Sequence, residues 1–459
     1  MNNDAILELL EKQFSLKPDS AKVLVVGLGK TGLSVAYYLR HLGIQFAIVD
    51  SRKKPPYNDE LLAEMPDVAV FTGGFEPTVF AVATHIIVSP GVSMEEPMIQ
   101  QAIAQGVQPL SDIDLFACSV TEPVVAITGS NGKSTVTTML GQMVKAAGKK
   151  VAVGGNLGTP ALDLLTEQAE IYILELSSFQ LERTSQLNAV AATVLNVSPD
   201  HLDRYASLDE YAVEKQKVFR GNGVMLINAD CPYAAKMLET AQAREQITFG
   251  LQKDADFGVI TSTGGESLAF QGTEILPVNK LLVSGVHNQA NALAALALGK
   301  VIGLPEAAMC HALRQYKGLK HRVEFIANID GVNWINDSKA TNVGACIAAL
   351  EGFEQESVIL IAGGDAKGAD MSDLVPVLKE KVKALLLIGK DGVLIKQVID
   401  GCIAVLEVAT IKKAVKQAAK LAQSGDTVLL SPACASLDQF ANYQERGSRY
   451  ISEVKRLEK

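Results

Sequence analysis

The segment that decides the fold is Pro123-Val-Val-Ala-Ile127-Thr-Gly129-Ser-Asn-Gly132-Lys133-Ser-Thr135. Its apolar first part predicts a buried strand, and a helix is expected from Ser134 to Ala147, just before Gly148. A glycine-rich turn between a strand and a helix directs backbone N–H groups at an anion, and the helix N-terminus adds partial positive charge. The segment therefore predicts a phosphate-binding loop within an α/β domain.

The side chains of this loop suit a nucleotide. Lys133 can reach the β- and γ-phosphates, and the Ser134 hydroxyl can bind magnesium. Only two residues separate Gly129 from Gly132, where the common phosphate loop has four. A glycine-rich turn with a surface lysine is the alternative, but it does not explain why these residues coincide at a strand-to-helix junction. We expect nucleotide contacts from Gly129, Ser130, Asn131, Gly132, Lys133, Ser134 and Thr135.

Size and charge limit the class of protein. A chain of 459 residues is too long for one core and predicts two to four domains. Apolar residues make up 48% and charged residues 20%, as in an ordinary globular protein. The net charge of −9, without a long basic run, argues against nucleic acid or an anionic membrane as the main partner. Phosphorylated substrates must then be held by local cations and backbone amides.

The cysteines and the N-terminus indicate a cytoplasmic enzyme. The six cysteines are scattered without a C-x-x-C pair, so they predict buried, reduced thiols rather than a zinc site or a disulfide framework: Cys118, Cys231, Cys310, Cys346, Cys402 and Cys434. The acidic N-terminus lacks the basic region of a signal peptide, and no apolar run approaches the length of a membrane span. Apolar residues from Ile6 to Phe14 have helical spacing and predict a short amphipathic helix packed on the body.

Three α/β segments follow one another, which we place at residues 1–111, 112–318 and 319–459. In each, apolar strands alternate with helices through short loops, a pattern typical of a doubly wound parallel sheet. Residues 254–276 are polar, glycine-rich and β-like, and they predict an antiparallel edge on the second sheet.

The first segment contains Gly27-Leu-Gly29-Lys-Thr-Gly32 after a strand, and Asp50 at the end of the next strand. This is the dinucleotide fingerprint, a weak signal by itself. An NAD-dependent dehydrogenase is one interpretation, a site for another nucleotide diphosphate is a second, and a tight turn without ligand is a third. Arg52 is placed to meet a phosphate or to stack on a base.

Two further strands of the second segment end in polar residues. Glu175 ends an apolar strand beside the phosphate loop, where a carboxylate can hold magnesium, unless it is only a solvated acid. His201 follows another strand and lies among aspartates, so we favour a functional histidine over a structural one. Ser207 to Glu210 form a capping box that opens a helix over 209–220, and the pattern alone predicts that Lys215 is a surface lysine.

The third segment repeats the strand–polar loop–helix pattern three times. The loops are Asn336-Asp337-Ser-Lys339-Ala-Thr341-Asn342, Gly363-Gly-Asp-Ala-Lys367-Gly368 and Ser431-Pro-Ala-Cys-Ala-Ser436-Leu-Asp438. The lysines of the first two loops and the hydroxyls of Thr341 and Ser436 can form a pocket for a small dianion. Each loop taken alone could be an ordinary polar loop, but three on one rim favour a site.

Together these motifs resemble the Mur ligases, the ATP-dependent amide-bond-forming enzymes of peptidoglycan synthesis. The resemblance covers nearly the whole chain from Lys22, and it is carried by the phosphate loop together with Glu175-Leu-Ser-Ser-Phe-Gln180, Asp200-His-Leu-Asp-Arg204, His287-Asn-Gln-Ala-Asn291 and Asp337-Ser-Lys-Ala-Thr-Asn342. The Asp-Ser-Lys-Ala-Thr-Asn and Ser-Pro-Ala-Cys-Ala-Ser segments are similar to those of the members that add D-glutamate. The resemblance implies a Rossmann-like N-terminal domain, a central P-loop ATPase-like domain and a Rossmann-like C-terminal domain.

The resemblance also implies roles for individual residues. ATP contacts would extend beyond the loop to Asn291, Arg322 and Asp337. Magnesium would be held by Ser134, Glu175, His201 and a carbamylated Lys215, and the catalytic residues would be Lys133, His201 and Lys215. The UDP-substrate would be bound by Gly27, Gly29, Lys30, Thr31, Gly32, Asp50, Ser51, Arg52, Gly73, Asn156, Ser177 and Gln180. The D-glutamate pocket would consist of Thr341, Lys367, Ser436, Leu437 and Tyr443.

The implied reaction joins D-glutamate to UDP-N-acetylmuramoyl-L-alanine through an acyl phosphate, with ATP and Mg²⁺, in a cytoplasmic monomer. His201 is a possible base for the amine, but magnesium ligation would occupy it. A folate polyglutamate synthetase is the nearest rival, although the Gly27–Gly32 turn argues against it. A dehydrogenase needs no Lys133 loop, and a non-catalytic nucleotide switch needs no dianion pocket.

Overall fold

The computed structural model describes residues 2–239, 244–252, 254–283, 285–399, 401 and 403–458, and it contains three sheets that follow one another along the chain. The described residues contain no helix long and apolar enough to cross a membrane. The five cysteines in this part of the chain are buried free thiols, as predicted, and Cys402 lies outside the described residues.

The first sheet is fully parallel, with the strand order β3-β2-β1-β4-β5. Its strands are β1 (Val23–Val26), β2 (Phe46–Asp50), β3 (Val70–Thr72), β4 (His85–Val88) and β5 (Gln108–Leu110), and its helices are α1 (Asn3–Phe14), α2 (Lys30–His41), α3 (Asn58–Glu64), α4 (Pro77–Phe80), α5 (Pro97–Ala104) and α6 (Asp112–Ser119). The chain order reverses between β1 and β4, and such a switch point leaves a crevice at the carboxyl ends of the strands.

The N-terminal helix α1 packs on the body as predicted, since Ile6, Leu10 and Phe14 are buried. The Phe14 carbonyl accepts a hydrogen bond from Nε2 of His85, the first residue of β4, at 3.0 Å. The helix therefore lies at the amino end of the sheet, opposite the crevice.

The second sheet has nine strands in the order β14-β13-β12-β11-β10-β9-β6-β8-β7. The strands are β6 (Val124–Thr128), β7 (Val151–Gly155), β8 (Ile171–Glu175), β9 (Ala191–Val194), β10 (Val224–Asn228), β11 (Gln246–Phe249), β12 (Phe257–Ser262), β13 (Gly265–Phe270) and β14 (Thr273–Pro277). The helices are α7 (Lys133–Ala146), α8 (Ser178–Leu181), α9 (Leu208–Gln216), α10 (Ala234–Glu239), α11 (Val286–Val301) and α12 (Glu306–Gln315).

The antiparallel edge predicted for residues 254–276 is confirmed, since β12, β13 and β14 pair antiparallel. The first strand, β6, lies between β8 and β9 and is parallel to both. All five of its residues are buried, because helices cover both faces of the sheet there. The phosphate loop thus leaves the sheet at its switch point.

The third sheet has the order β15-β16-β20-β17-β18-β19, and only its edge strand β15 runs antiparallel to its neighbour. The strands are β15 (Glu324–Ile329), β16 (Val332–Asn336), β17 (Val358–Gly363), β18 (Val382–Ile388), β19 (Ala404–Glu407) and β20 (Thr427–Leu430), and the helices are α13 (Val343–Leu350), α14 (Val375–Lys381), α15 (Gly392–Ile399), α16 (Ile411–Leu421) and α17 (Tyr443–Val454). The three polar loops follow β16, β17 and β20, which are neighbours, so they meet on one rim as predicted.

The predicted fold class, three consecutive α/β domains, is confirmed. The domain boundaries at 111/112 and 318/319 stay predictions. Helix ends differ by a few residues from the predicted ones: α7 begins at Lys133 rather than Ser134, and the helix expected over 209–220 becomes a 3₁₀ turn from Lys217 to Phe219.

Candidate active site

A cleft of about 540 Å³ lies between the second and third sheets. It brings together most of the predicted site residues: Ser130, Asn131, Gly132, Lys133, Ser134, Thr135, Asn156, Glu175, Ser177, His201, Lys215, Asn291, Arg322, Asp337, Thr341, Lys367, Ser436, Leu437 and Tyr443. The glycine turn and Asp50 of the first sheet do not line this cleft, and neither does Gln180.

The phosphate loop, residues 129–132, is folded around its own lysine. The Lys133 Nζ donates hydrogen bonds to the carbonyls of Gly129 at 2.7 Å and Ser130 at 2.9 Å. Gly132 has a φ of +82°, and a Cβ at this position would lie 2.4 Å from Oδ1 of Asn291. Any other residue here would have to hold a left-handed backbone and displace the Asn291 side chain, so glycine is favoured where the loop meets α11.

Lys215 is buried, so the expectation of a surface lysine was wrong. It is 1% exposed, and its Nζ donates to the Gly129 carbonyl at 2.9 Å. The helix pattern failed here because α9 packs its lysine beneath the phosphate loop, where a second contact is the ring of Tyr211, 4.2 Å away. Burial, and then the nearby Lys133, hold the pKa of Lys215 well below its ordinary value.

Glu175 has one satisfied and one unsatisfied carboxylate oxygen. Its Oε1 accepts a hydrogen bond from Asn156 Nδ2 at 2.6 Å, whereas Oε2 is buried without a protein partner. A buried carboxylate oxygen left without a donor is costly. The oxygen is therefore suited to a cation that enters with the ligand.

His201 lies at the edge of the cleft with a φ of +56°. Its backbone N–H donates to Oδ1 of Asp200 at 2.9 Å, and its ring meets the Phe179 ring edge-on at 4.7 Å. Burial lowers the pKa of the imidazole to about 4, although the carboxylate of Asp200 opposes the shift. The ring is neutral at pH 7, as a metal-binding imidazole must be.

The second and third sheets are joined across the cleft by polar side chains. Asn342 Nδ2 donates to Oδ1 of Asn131 at 3.2 Å and to Oδ2 of Asp200 at 3.1 Å. Lys367 forms an ion pair with the Asp200 carboxylate. This network connects the phosphate loop directly to the loops of the third sheet.

The segment between the two sheets, residues 321–323, is strained. His321 and Val323 have φ values of +64° and +43°, a costly conformation for a β-branched residue. Hydrogen bonds hold it there: the Val323 N–H donates to Asp337 Oδ1 at 3.2 Å, and the His321 N–H donates to Glu324 Oε2 at 2.8 Å. The strained turn directs Arg322 into the cleft, where its Nη2 donates to the Ser134 hydroxyl at 2.9 Å.

Asp337 is buried behind this segment and also accepts a hydrogen bond from the Ser431 hydroxyl at 2.8 Å. Burial raises its pKa to about 7, and the hydrogen bonds from Ser431 and Val323 only partly oppose the shift. The carboxyl group thus ties together the β16 loop, the β20 loop and the strained segment.

A buried arginine that the sequence analysis missed fixes the third-sheet loops. Arg446 on α17 is 1% exposed and donates to the Ser338 hydroxyl and carbonyl at 3.0 and 2.9 Å. It also donates to the carbonyls of Cys434 and Ala435 at 3.1 and 3.2 Å. An arginine 12 residues beyond its carbonyl partner gives no sequence motif, so only the fold reveals it.

All five side chains that the resemblance implies for D-glutamate line the cleft. Ser436 is buried, Leu437 is 71% exposed, and Tyr443 begins α17. The Nζ of Lys339 lies 4.1 Å from the centre of the Tyr443 ring. The rim formed by the third-sheet loops is therefore polar except for the solvent-exposed side chain of Leu437 and the aromatic ring of Tyr443.

The glycine turn of the first sheet, residues 27–32, is hydrogen-bonded to the carboxylate of Asp50. Its carboxylate is 2% exposed and accepts hydrogen bonds from the Leu28 N–H at 2.7 Å and from the Arg52 Nε at 2.9 Å. Burial alone would raise the pKa of Asp50, but these donors outweigh it and lower the pKa. Gly73 closes the neighbouring loop, because its N–H donates to the carbonyls of Asp50 and Arg52.

The remaining residues that the resemblance implies for the UDP-substrate lie near the glycine turn or cap helix α8. Lys30 Nζ donates to the Gly158 carbonyl of the second domain at 2.7 Å, which joins the two loops. Ser177 and Gln180 form a reciprocal capping box on α8, and Gln180 is buried. Ser51 and Thr31 lie beside Asp50 and Lys30 in the chain.

The loop after β4, residues 89–91, also borders the crevice of the first sheet, and the sequence predicted no role for it. Ser89 Oγ donates to the Gly27 carbonyl at 2.8 Å, and Gly91 follows two residues later. Because β4 lies next to β1 at the switch point, this loop faces the glycine turn across the crevice. The position of this loop follows from the strand order of the sheet, and the sequence alone does not predict that order.

Family models match three consecutive parts of the chain: the Mur ligase MurD-like N-terminal domain over residues 21–111, the Mur ligase middle domain over 127–299 and the Mur ligase glutamate ligase domain over 321–434. The chain belongs to the Mur ligase family. It is 51% identical to the UDP-N-acetylmuramoylalanine--D-glutamate ligase of Methylococcus capsulatus over 437 residues, which is 95% of each chain. The protein of the same name from Pseudomonas aeruginosa is 48% identical over 440 residues, 95% of this chain and 98% of the relative.

Solved structures support the fold of this Mur ligase. A pseudomurein peptide ligase type C from Methanothermus fervidus has a TM-score of 0.64 at 19% identity, covering 96% of this chain and 100% of that one. The UDP-N-acetylmuramate-alanine ligase from Thermotoga maritima has a TM-score of 0.62, also at 19% identity, covering 95% and 100%. The fold of nearly the whole chain is thus shared with both structures.

Proposed function

We propose that this Mur ligase joins D-glutamate to UDP-N-acetylmuramoyl-L-alanine, with ATP hydrolysed to ADP and phosphate, in peptidoglycan precursor synthesis. The relatives that match over 95% of the chain carry the name of this activity. The observation that carries the proposal in the structure is the single cleft that contains both the phosphate loop and the three polar loops of the third sheet. One cleft for a nucleotide phosphate and a small acid suits a ligase better than a dehydrogenase.

The chemistry starts from a carboxylate, which is a poor electrophile. The γ-phosphoryl group of ATP passes to the L-alanine carboxylate and forms an acyl phosphate, with ADP as the leaving group. Lys133 supplies positive charge to the transferring phosphoryl group, and it does so by leaving the loop carbonyls of Gly129 and Ser130 for the phosphate oxygens. Asn291, Arg322 and Asp337 are proposed to hold the adenosine side of the nucleotide.

The residues present fit magnesium. Glu175 offers an unpartnered buried oxygen, Ser134 offers a hydroxyl, and His201 offers a neutral imidazole. The described residues hold no group of three or more His, Cys, Asp or Glu side chains placed for a metal, so the nucleotide phosphates would have to complete the ligand set. Magnesium bound there would neutralise phosphate charge.

Lys215 is proposed to be carbamylated. Burial lowers the pKa of the Lys215 amine and so raises the share of the neutral form, which is the form that can add to carbon dioxide. The product is a carboxylate beneath the phosphate loop, and it would change a cation into a magnesium ligand. A mass increase of the intact protein in the presence of carbon dioxide, absent in Lys215→Arg, tests this assignment.

The UDP part of the substrate is proposed to lie in the crevice of the first sheet. The loop of Gly27–Gly32 offers backbone N–H groups to the diphosphate, and Asp50, Ser51 and Arg52 would meet the uracil side. The strand order places the β4 loop, with Ser89 and Gly91, on the same crevice. Asn156 and Ser177, also proposed to contact this substrate, line the cleft that contains the phosphate loop.

The D-glutamate pocket is proposed at Thr341, Lys367, Ser436, Leu437 and Tyr443. Every residue assigned to the reaction comes from one chain, so a monomer suffices. Because ATP and nucleotide-linked precursors are cytoplasmic metabolites, we place the reaction in the cytoplasm.

One assay tests the proposal. Phosphate release from ATP is measured with UDP-N-acetylmuramoyl-L-alanine, with and without D-glutamate, beside a test for NADH oxidation. We expect release that depends on both substrates and no oxidation of NADH. A folate polyglutamate synthetase would instead use a folate substrate, and a nucleotide switch would release phosphate without either substrate. Either of these results would refute the ligase assignment.

A further inference from the structure

Amide formation from an amino acid requires a proton acceptor, because the ammonium form of D-glutamate has no lone pair. Four of the lysines that the structure describes line the cleft, and three of them are engaged with protein oxygens. Lys133 and Lys215 donate to loop carbonyls, and Lys367 pairs with Asp200. Lys339 differs: in the part of the chain that the structure describes, its Nζ has no hydrogen-bond or ion-pair partner, and its contact is the face of the Tyr443 ring.

Lys339 also lies at the right place. It follows β16, two residues before Thr341, and its backbone N–H donates to the His321 carbonyl at 3.0 Å. Its side chain extends over Tyr443, on the wall proposed for D-glutamate, and lines the same cleft as Lys133. The amine therefore lines the cleft that also holds the phosphate loop and the residues proposed for D-glutamate.

We propose that Lys339 is the catalytic base that takes a proton from the ammonium group of D-glutamate. This inference rests on the proposed function. The neutral Lys339 amine accepts one proton and becomes an ammonium over the Tyr443 ring, where a cation–π contact stabilises it. The freed nitrogen lone pair forms the C–N bond at the acyl carbon, and the C=O electrons move to oxygen.

Collapse of this tetrahedral intermediate breaks the C–O bond to the phosphate, which leaves with the electron pair. The second nitrogen proton leaves with the phosphate, and the Lys339 proton returns to solvent through the open cleft. Atoms and charges balance without a further reactant.

The charged surroundings agree with this role. The pKa of Lys339 is lowered to about 8, chiefly by burial and also by the charges of Arg322 and Lys133, while Glu175 and Asp200 oppose the shift. Besides these four groups, the phenol of Tyr443 faces the amine. Near pH 8 about half of the lysine is neutral, which is the range in which a general base works best.

The experiment compares Lys339→Ala and Lys339→Arg with the exposed control Lys317→Ala in the full-length enzyme. Two steps are measured separately: acyl phosphate formation without D-glutamate, trapped with hydroxylamine, and formation of the D-glutamate product, identified by mass. We expect acyl phosphate formation within about threefold of wild type in every variant. Product formation should fall by about 10² to 10⁴ in both Lys339 variants, the usual contribution of a general base.

Two further measurements distinguish a general base at position 339 from a residue that acts only through its positive charge or its packing. The wild-type rate of product formation should rise with pH as Lys339 loses its proton, and this limb should be absent in Lys339→Ala. Added ethylamine should restore D-glutamate product formation to Lys339→Ala but not to Lys339→Arg, whose guanidinium still fills the site.

The outcomes are distinct. Product formation by Lys339→Arg at the wild-type rate would overturn the proposal, because arginine keeps the charge but does not accept a proton. Equal losses in both steps would also overturn it and would assign Lys339 to phosphate binding. Failure of the wild-type enzyme to form the trapped hydroxamate would refute the ligase function itself, whatever the variants do.

Discussion

Replacing Gly132 with alanine tests how tightly the phosphate loop is built. The residue has a φ of +82°, and an alanine Cβ would lie 2.4 Å from Oδ1 of Asn291. The left-handed backbone costs a non-glycine residue about 1–2 kcal/mol. Moving Asn291 also breaks its 3.3 Å hydrogen bond to Asn288 Oδ1, worth about 1 kcal/mol.

The free loop of the variant can relax and avoid part of this cost, whereas the nucleotide-bound loop must keep its shape. The cost of about 2–3 kcal/mol should therefore appear mainly in ATP affinity, as a rise in Kd of roughly 30- to 150-fold. Titration calorimetry with a non-hydrolysable ATP analogue measures the Kd, and steady-state kinetics measures the KM for ATP.

Gly148→Ala is the matched control. Gly148 has a φ of +78° but faces open space, so the substitution carries the backbone strain without the clash. It should lower the Tm and leave the Kd unchanged. Binding of the analogue by Gly132→Ala within twofold of wild type would show that the loop's contact with α11 does not control ATP affinity.

Three further substitutions test the phosphate loop, the third-sheet pocket and a buried carboxyl group of α6. Lys133→Ala should lower turnover by roughly a hundredfold or more in the phosphate-release assay, whereas the exposed Lys145→Ala on the same helix should not; wild-type turnover of Lys133→Ala would count against the phosphate loop. Lys367→Ala should mainly raise the KM for D-glutamate, and unchanged D-glutamate kinetics would exclude it from the pocket. Burial raises the pKa of Asp112 to about 6 against the opposing charge of Arg183, so its contribution to stability is present below about pH 4 and is lost as the pH rises to 6. The unfolding free energy of wild type relative to Asp112→Asn should therefore fall over this range in denaturant titrations, and a constant difference would contradict the burial argument.

Local patterns in the sequence predicted the glycine turn between β6 and α7 and the position of Glu175 at the end of β8, and they placed His201 in the segment after β9. They are readable because a strand, a glycine turn and a helix start are determined by neighbouring residues. The convergence of the three third-sheet loops was also predicted, since each follows a parallel strand.

Contacts between residues far apart in the chain could not be predicted from the sequence. The helix pattern around Lys215 gives no sign that α9 packs its lysine beneath a loop 86 residues earlier. The role of the Ser89 loop depends on the strand order, and the bonds of Arg446 depend on two loops meeting beneath α17. Tertiary packing decides such features, and a single sequence does not record it.

The ion pair between Lys367 and Asp200 has a consequence for inhibitors. Any acidic compound that reaches Lys367 displaces a carboxylate already there, so it exchanges one charge pair for another and gains little net Coulomb energy. Affinity at this end of the molecule must then come from groups that the resting protein leaves without a partner. A compound can instead place a hydrogen-bond acceptor against the Nζ of Lys339, which lies over the Tyr443 ring. It then gains a hydrogen bond that the unliganded protein does not make, which a stronger anion for Lys367 would not provide.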